Sequence, residues 1–393
     1  MLALLGGANM GDLIIKNVKA YTMGKKGLIE KANIIVKDNK IKKITSRSIA
    51  VKGKIVIDGE GLIALPGLID PHTHLGIYPL EWEYGDHGVE KSDPITPHLK
   101  VVDGLDPFDP GFRDAIMGGI TTVSIEPGSP LSWASYEKTT IMPGQSAILK
   151  TNGKIISEEA GIKIAVGGHV RKFLEELKMP PMTRMGILAS IRTILQKAKE
   201  YAEKKEDKQY DPKLEALEKL IKNETMARIH VHVSRDILSI IKLLESFGVQ
   251  KIIIEHGTEA YKVSEFLKDK NIPVILGPVI FPKRGAELRE LSSKLPAMLY
   301  SSGVLFALTT DHPAIPIQYL TLIAAACVGD GLPYEEALKS ITINAAKILG
   351  IDKFVGSLEE GKDADIVLFD GDPLDPTTKV VYTIIDGEIV YER

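Results

Sequence analysis

The stretch ALPGLIDPHTHLG, residues 64–76, marks the point where the character of this 393-residue chain changes. Before it lie short alternating segments separated by turn residues, such as DLIIKNVKAYTM and KANIIVKDNKIKKI, a pattern typical of a small antiparallel β module. The stretch itself is an apolar run that ends in His72-Thr73-His74. Side chains two positions apart on a strand point to the same face, so both imidazoles are predicted to aim at one place.

After this stretch, apolar runs of strand length alternate with helical or loop segments. Near-continuous Val, Ile and Leu indicate strands buried on both faces, and parallel neighbours need long crossover connections. The strongly helical segments include MGILASIRTILQKAKEYAEKKE and RDILSIIKLLESFG. The pattern predicts an α/β fold built on a TIM-like (β/α)8 barrel. Its eight strands are expected in GLIDPHTHLG, ITTVSIEPG, SAILKTNG, GIKIAVGG, ARIHVHVS, KIIIEHGTE, IPVILGPVI and VLFALTTDHP.

The two ends of the chain are predicted to form a second, smaller unit. The C-terminal tail returns to β character in DADIVLFDGD and KVVYTIIDGEIVYER. We expect this tail to pair with the N-terminal strands. Residues 1–64 and 355–393 would then make one composite β-sandwich, and residues 65–354 would make the barrel. A chain of this length is consistent with a large barrel plus a small module.

The composition argues against several classes of partner. Hydrophobic residues make up 44% of the chain and charged residues 26%, as in an ordinary globular protein. A net charge of -3 gives no sign of a surface for nucleic acid. The apolar start of the chain is too short to span a bilayer and lacks the basic residues of a signal peptide, so no membrane partner is expected. The single cysteine, Cys327, suits a reducing compartment, and we expect a cytoplasmic protein, with a homo-oligomer left open.

Polar residues cluster at the predicted ends of the barrel strands, where barrels of this type carry their chemistry. At the ends of the first, fifth, sixth and eighth strands stand His72, His74, His230, His232, His256, Asp311 and His312. Imidazole and carboxylate are the ligands that a zinc-like divalent ion prefers. Each motif alone could be a buried polar residue or a turn. Their joint occurrence predicts a metal site that acts on a small-molecule substrate.

The chain carries, in order, the motifs PGLIDPHTHLG, HVHV, EHG and TTDHP and the ending GSLEEGKDADIVLFDGDP. This ordered set resembles the amidohydrolase superfamily, and more closely its imidazolonepropionase-related members. The resemblance covers essentially the whole chain. It implies a (β/α)8 barrel, one or two divalent metal ions and hydrolysis at C–N or related bonds. Zinc is the first expectation for the ion, with iron, manganese and cobalt as alternatives.

The resemblance also implies roles by position. His72 and His74 would bind the more buried ion, and Asp311 would be both a ligand and the acceptor of a proton. His230 and His256 would face a second ion or the substrate, and with Asp311 they form the implied catalytic set. The choice between His230 and His232 as ligand stays open because both face inward. The preceding strand favours His230, which leaves His232 nearer the substrate.

The resemblance also implies a candidate for a bridging lysine, because two-metal members of the superfamily commonly bridge their ions with a carbamylated lysine at the end of the fourth strand. The candidate is Lys163 in GIKIAVGG. A buried ammonium is costly, so Lys163 must find a partner, become neutral or be modified. The alternative is an ion pair with a carboxylate such as Glu126. Lys150, one strand earlier, competes for the bridging role.

One departure from the family bears on the reaction. Deaminases and imidazolonepropionase typically carry a glutamate three residues after the fifth-strand histidine, where this chain has Val233 or Arg235. We therefore expect metal-activated water to attack the carbonyl of a small amide, an N-acyl amino acid, a dipeptide or a cyclic amide. His169 and Arg184 are the further candidates for substrate contact, with Arg171 as an alternative to Arg184.

Two other functions stay open at this point. The first is imidazolonepropionase-type or deaminase chemistry at a single metal, which the missing glutamate weakens. The second is a non-catalytic barrel scaffold. Scaffolds of this kind usually lose metal ligands, whereas this chain retains the histidine and aspartate motifs.

Overall fold

The computed structural model of the chain describes residues 12–49, 55–78, 88–128, 138–204 and 208–393. The apolar start of the chain lies outside these ranges. None of the described helices combines the length and the apolar character that a bilayer crossing requires.

The described elements alternate between strand and helix through the middle of the chain. The strands are β1 (Leu13–Tyr21), β2 (Leu28–Lys37), β3 (Lys40–Thr45), β4 (Ile55–Asp58), β5 (Ile63–Pro66), β6 (Leu68–Thr73), β7 (Ile120–Ile125), β8 (Gly144–Lys150), β9 (Ile155–Ala165), β10 (Ala227–Val231), β11 (Ile252–His256), β12 (Val274–Leu276), β13 (Phe306–Leu308), β14 (Ile366–Phe369), β15 (Val380–Ile385) and β16 (Glu388–Glu392). The α-helices are α1 (Gly111–Met117), α2 (Gly168–Glu176), α3 (Arg184–Glu203), α4 (Pro212–Ile221), α5 (Ser234–Glu245), α6 (Ser264–Asp269), α7 (Leu295–Ser302), α8 (Leu320–Gly329), α9 (Tyr334–Ser340) and α10 (Ile343–Ile348). Short 3-10 helices cover Val101–Asp103, Ala260–Val263 and Ile317–Tyr319.

Both ends of the chain contribute to one β-sandwich, as the sequence predicts. Its strands follow the order β16-β15-β14-β5-β1-β2-β3, and β4 pairs with β1. The two ends meet where β5 and β14 pair in antiparallel fashion. Alternate residues of these strands, such as Ile366 and Leu368, are fully buried in a core separate from that of the barrel. Since β5 ends at Pro66, the sandwich reaches just beyond the predicted boundary at residue 64, and the division into domains stays a prediction.

The middle of the chain forms the predicted barrel, whose strands follow one another in chain order from β6 to β13. The strands β9 to β13 are parallel, and β6 is parallel to β7. Helices pack around them through apolar faces, and the long predicted helices are confirmed as α3 and α5. α10 packs against an apolar layer at the base of the barrel, which contains Ile69, Ile253, Ile275 and Ala307. The opposite end, where the parallel strands finish, is the mouth.

The third barrel strand departs from the expected topology. β8 runs antiparallel to both of its neighbours, β7 and β9, so the barrel is not built from parallel strands alone. A tight turn at residues 151–154 connects β8 directly to β9, with Gly153 at φ 93°. Such a connection is a hairpin and not a crossover. The end of β8 that carries Lys150 therefore lies at the base of the barrel and not at its mouth.

The first and last barrel strands are joined by side chains. The buried carboxylate of Asp70 accepts hydrogen bonds from Thr309 Oγ1 at 2.6 Å and from the backbone N–H of Thr310 at 3.1 Å. Burial raises the pKa of Asp70 to about 6, against the opposing effect of the hydrogen bonds from the two threonines. Higher up, the backbone N–H of His74 donates to the carbonyl of His312 at 2.8 Å. These contacts hold the ends of β6 and β13 side by side at the mouth.

Candidate metal centre

Two histidines and one aspartate converge at the mouth of the barrel. His72 and His74 come from the end of β6, and Asp311 follows β13; all three side chains are almost completely buried. Oδ1 of Asp311 lies 3.5 Å from Nε2 of His72 and 3.3 Å from Nε2 of His74. One donor atom from each of the three residues lies within 4.8 Å of the other two.

The tautomers of the neighbouring imidazoles are set by backbone carbonyls. Nδ1–H of His74 donates to the carbonyl of Glu126 at 2.8 Å, and Nδ1–H of His256 donates to the carbonyl of Gly277 at 2.7 Å. In each neutral ring the proton is then on Nδ1, so Nε2 carries the lone pair. Carbonyl acceptors of this kind commonly orient the histidines that bind metals.

The donor set fits a divalent cation. Burial, with a contribution from Lys163, lowers the pKa of His72 to about 3 despite the opposing effect of Glu255, so its imidazole is neutral. Neutral imidazole and carboxylate are the protonation states in which these groups bind metals. Lone pairs on Nε2 of His74 and on the Asp311 carboxylate point at one another, an arrangement that a cation between them stabilises.

Left-handed backbone aims two of the candidate residues. His256 has φ 64° and Asp311 has φ 51°, a conformation that is uncommon outside glycine and often found at functional sites. In the strand register, Glu255 lies beside inward-facing His230, so strict alternation would turn His256 away from the barrel. The turn at His256 lets consecutive side chains both face the interior.

The remaining histidines form a continuous row of rings beside this group. The ring centroid of His256 lies 4.7 Å from that of His72 and 4.5 Å from that of His230. The ring of His232 is 5.3 Å from that of His230, and its Nδ1 hydrogen-bonds with Thr258 Oγ1 at 2.8 Å. The structure thus brings His230 and His232 together with His256. His312 lies apart from this row, where its Nδ1 accepts a hydrogen bond from the backbone N–H of Ile317.

The two candidate lysines lie at opposite ends of the barrel. Lys163 is buried on β9 and faces the interior in register with Arg228; a Cβ atom placed on Gly128 would lie 3.2 Å from its Nζ and 3.6 Å from Cε1 of His74. Lys163 therefore reaches the candidate centre. Lys150 does not, because β8 is reversed. Its Nζ binds a set of sandwich carboxylates, namely Asp363 at 2.7 Å, Asp365 at 3.1 Å and Asp386 at 2.5 Å.

His169 lies beside the row of histidines. Among the described residues, the candidates Arg184 and Arg171 pair with carboxylates outside that row. The ring of His169 is 4.4 Å from that of His230. Arg184, at the start of α3, pairs with Asp236, and Arg171 pairs with Glu175 on the exposed face of α2. Both arginines thus have structural partners, and their contact with a substrate stays a prediction.

Glu287, from the segment after β12, was not foreseen from the sequence. Its carboxylate accepts hydrogen bonds from the backbone N–H of Gly168 at 2.8 Å and of His169 at 3.0 Å, and lies 3.1 Å from Nδ1 of His169. Burial would raise the pKa of Glu287, but the neighbouring His169 outweighs it and lowers this pKa to about 2. Nothing in the local sequence KRGAELRE distinguishes this glutamate from an ordinary exposed one.

Below the histidines lies a buried ionic network of which only Glu126 was foreseen from the sequence, as a candidate partner of Lys163. The Arg228 guanidinium contacts Oε1 of Glu126 and Oε1 of Glu255, each at 2.6 Å, and all three side chains have no exposed surface. Burial raises the pKa of Glu126 to about 7, against the effect of Arg228. Burial opposes ionisation of Glu255 as well, but there Arg228 and His72 prevail and hold its pKa well below the usual range. The sequence signal that could have revealed this network is the presence of Arg228 and Glu255 within the otherwise apolar strands β10 and β11.

Comparison with known proteins places this fold and its cluster of histidines in one family. Residues 157–390 match the model of the Amidohydrolase family. A crystal structure of an amidohydrolase from Thermotoga maritima MSB8 is 36% identical and superposes with a TM-score of 0.90, over 97% of this chain and 100% of that one. Amidohydrolase tasK of Hapsidospora irregularis is 28% identical over 93% of this chain, which spans only 40% of the length of tasK.

Other relatives carry two further activities in their names. A 5-methylthioadenosine/S-adenosylhomocysteine deaminase of Thermoanaerobacter pseudethanolicus is 29% identical, over 92% of this chain and 86% of its own length. An imidazolonepropionase of Caldanaerobacter subterraneus subsp. tengcongensis is 26% identical, over 93% and 92% of the two chains. The resemblance seen in the motifs is confirmed. The chain belongs to the amidohydrolase family, and it is an enzyme that uses a divalent metal to act on C–N bonds of a small molecule.

Proposed function

We propose that this protein hydrolyses the amide bond of a small N-acyl amino acid, dipeptide or cyclic amide. The observation that supports this most is the convergence of His72, His74 and Asp311 within 4.8 Å at the mouth of the barrel. These residues would hold one ion, and Lys163, His230 and His256 would complete a second position. When bound, the metal supplies a Lewis acid and lowers the pKa of a coordinated water towards neutrality.

The protein's own side chains would transfer the proton, polarise the substrate carbonyl and bind the rest of the substrate. The Asp311 carboxylate accepts the proton of the attacking water and returns it to the leaving nitrogen. If no second ion is bound, His230 polarises the carbonyl oxygen of the substrate in its place. His256 holds its Nε2 towards the same space because its Nδ1–H donates to the carbonyl of Gly277. His232, His169 and Arg184 would contact the rest of the substrate. The buried walls around these groups exclude bulk water from the reacting bond.

The fifth strand favours amide hydrolysis over deamination. Val233 precedes α5 directly, and Arg235 lies in its first turn, so neither position offers a carboxylate to shuttle protons. Deaminase or imidazolonepropionase chemistry remains the second candidate, because relatives with those names align over nine-tenths of the chain.

The decisive experiment is a substrate screen with metal-reconstituted protein. N-acyl amino acids, dipeptides and cyclic amides are incubated with the enzyme, and release of an amino acid and of ammonia is measured separately. Amino acid release that stops on chelation supports the proposal. Ammonia release alone would move the assignment to a deaminase, and no turnover of any of these classes by metal-loaded protein would contradict the proposal.

The metal count and the state of Lys163 are tested in the same preparation. We propose zinc as the ion and a carbamate on Lys163 as the bridge between two ions. Metal analysis should then give two zinc ions per chain, and ¹³C NMR of protein prepared with ¹³C-bicarbonate should show a carbamate signal that Lys163→Ala abolishes. One ion per chain together with no such signal would instead favour a single-metal site with Lys163 as an ammonium.

A further inference from the structure

The guanidinium of Arg228 lies buried beneath the candidate centre and contacts polar groups from several strands. Its Nε lies 2.6 Å from Glu255 Oε1, its Nη1 donates to Ser124 Oγ at 2.5 Å, and its Nη2 donates to the carbonyl of Pro71 at 2.7 Å. The guanidinium, which β10 carries, also contacts Glu126 just after β7, so it binds groups from β6, β11 and the end of β7. It is completely buried.

Such a network is expensive to maintain for stability alone. Removing charges from water costs several kcal/mol per ion, and apolar side chains of similar volume often serve a core equally well. In addition, one guanidinium here faces two buried carboxylates, each at 2.6 Å. The placement of these charges beneath the histidines suggests a role in the site.

The second oxygen of Glu255 connects this network to a candidate ligand. Oε1 of Glu255 is held by Arg228, while Oε2 lies 3.2 Å from Nδ1 of His72. The two atoms are not aligned for a hydrogen bond, and neither has another hydrogen-bond partner among the described residues. An ionised carboxylate can only accept, so its charge beside Nδ1 favours the tautomer of His72 that carries the proton there. Nε2 of His72 then carries the lone pair on the side of Asp311, 3.5 Å away.

We propose that Glu255, clamped by Arg228, is a positioning residue that fixes His72 as its Nδ1–H tautomer and thereby aims Nε2 at the metal. His74 and His256 are oriented by backbone carbonyls, whereas His72 faces the charged pair of Glu255 and Arg228. This inference rests on the proposed metal-binding role of His72. It assigns to Glu255 no contact with the substrate.

A competing explanation is that Glu255 itself binds an ion. One donor atom each from His72, Glu126 and Glu255 also lies within 4.8 Å of the others. The Arg228 guanidinium, however, already contacts both carboxylates at 2.6 Å. A cation in the same place would be repelled by it, so the geometry favours the positioning role.

The first test uses metal-depleted wild-type protein and needs no variant. ¹⁵N NMR of the histidine side chains, with His72 assigned by comparison with His72→Gln, reports which nitrogen carries the proton. We expect the Nδ1–H tautomer. A proton on Nε2 would overturn the proposal, and since no metal or substrate is present, this result is independent of the proposed reaction.

The second test compares metal binding in Glu255→Gln with a matched control, Lys150→Met. Both changes disturb a buried ion network, but Lys150 lies at the base of the barrel. We expect Glu255→Gln to weaken Co²⁺ binding about 10–100-fold and to alter the visible spectrum of the bound ion, whereas Lys150→Met lowers the melting temperature and leaves both unchanged.

Three results would contradict the proposal in this comparison. One is a folded Glu255→Gln protein with wild-type affinity and spectrum; another is an equal loss of affinity in Lys150→Met. The third is a loss of one whole ion per chain in Glu255→Gln, which would make Glu255 a ligand. If wild-type protein bound no metal, the proposed function would fail, while the tautomer measurement would still decide the state of His72.

Discussion

At the scale of single residues, the candidate centre depends on which nitrogen of each imidazole carries a proton. Carbonyls of Glu126 and Gly277 take the Nδ1 protons of His74 and His256. The candidate ligand histidines can be recognised in the sequence because they stand in motifs at the predicted strand ends. The groups that orient them are not, because a backbone carbonyl has no sequence signature.

Replacing Asp311 with Asn should abolish most of the activity without unfolding the protein. The amide has the same shape as the carboxylate but cannot accept a proton from water, and general acid–base catalysis contributes roughly 10²- to 10⁴-fold to turnover. We expect kcat to fall within about this range and the melting temperature to stay close to that of the wild type. Turnover within a few-fold of the wild type would remove Asp311 from this role.

Glu287→Gln should affect substrate binding more than the chemical step. Glu287 holds the start of α2 and the ring of His169 by three contacts, and His169 lies beside His230 and not beside Asp311. We expect KM to rise several-fold more than kcat falls. Steady-state kinetics with the substrate found in the screen measure KM and kcat. The control is Glu175→Gln, on the exposed face of α2. A fall in kcat at constant KM would contradict it.

At the scale of elements, strand existence was predictable but strand direction was not. Each apolar run became a strand, because burial on both faces leaves near-continuous Val, Ile and Leu. For β8 the same composition fits either direction. The turn after it contains Asn152-Gly153, a strong hairpin signal that outweighs the apolar pattern when the next strand follows at once. Lys150 was misplaced for this reason.

Gly277→Ala should destabilise the barrel and loosen His256. A Cβ atom at Gly277 would lie 2.6 Å from the backbone carbonyl oxygen of Thr309, and its φ of 139° is unfavourable for other residues. The matched control is Gly248→Ala, which has φ 82° but no atom within 4 Å of the added Cβ. We expect Gly248→Ala to cost about 1 kcal/mol and Gly277→Ala clearly more, by thermal unfolding. Equal costs would contradict the steric argument.

At the scale of the whole molecule, the barrel and the sandwich meet through buried charges. The reversed β8 delivers Lys150 to the base of the barrel, where sandwich residues Asp363, Asp365 and Asp386 bind its ammonium. The sequence predicted both units from their different patterns. It could not predict this junction, because the partners are more than 200 residues apart and their charges resemble those of ordinary turns.

Asp365→Asn should change how stability depends on pH. Burial raises the pKa of Asp365 to about 6 despite the opposing effect of Lys150. A raised pKa means that the folded state prefers the protonated acid, so this contribution to stability is present below about pH 4 and is lost as the pH rises through 6. At pH 7.5 we expect the free energy of unfolding of the variant to exceed that of the wild type by up to about 3 kcal/mol. Its melting temperature should be higher accordingly.

The comparison of these two proteins at low pH provides the control for that prediction. Near pH 4 both side chains are neutral in the folded state, so their melting temperatures should converge. A difference that is the same at both pH values, or a variant that is less stable than the wild type at pH 7.5, would show that pairing with Lys150 outweighs burial.

The left-handed turn at His256 has a consequence for attempts to evolve new activities in this barrel. Because of this turn, Glu255 belongs to the buried ionic network with Arg228 and the next residue, His256, belongs to the row of histidines above it. Gly257, with φ 49°, continues the bend. Libraries that randomise position 256 and retain its two neighbours would therefore vary the reactive side chain while the ionic network stays intact. An insertion or deletion at this point would displace both the network and the histidines.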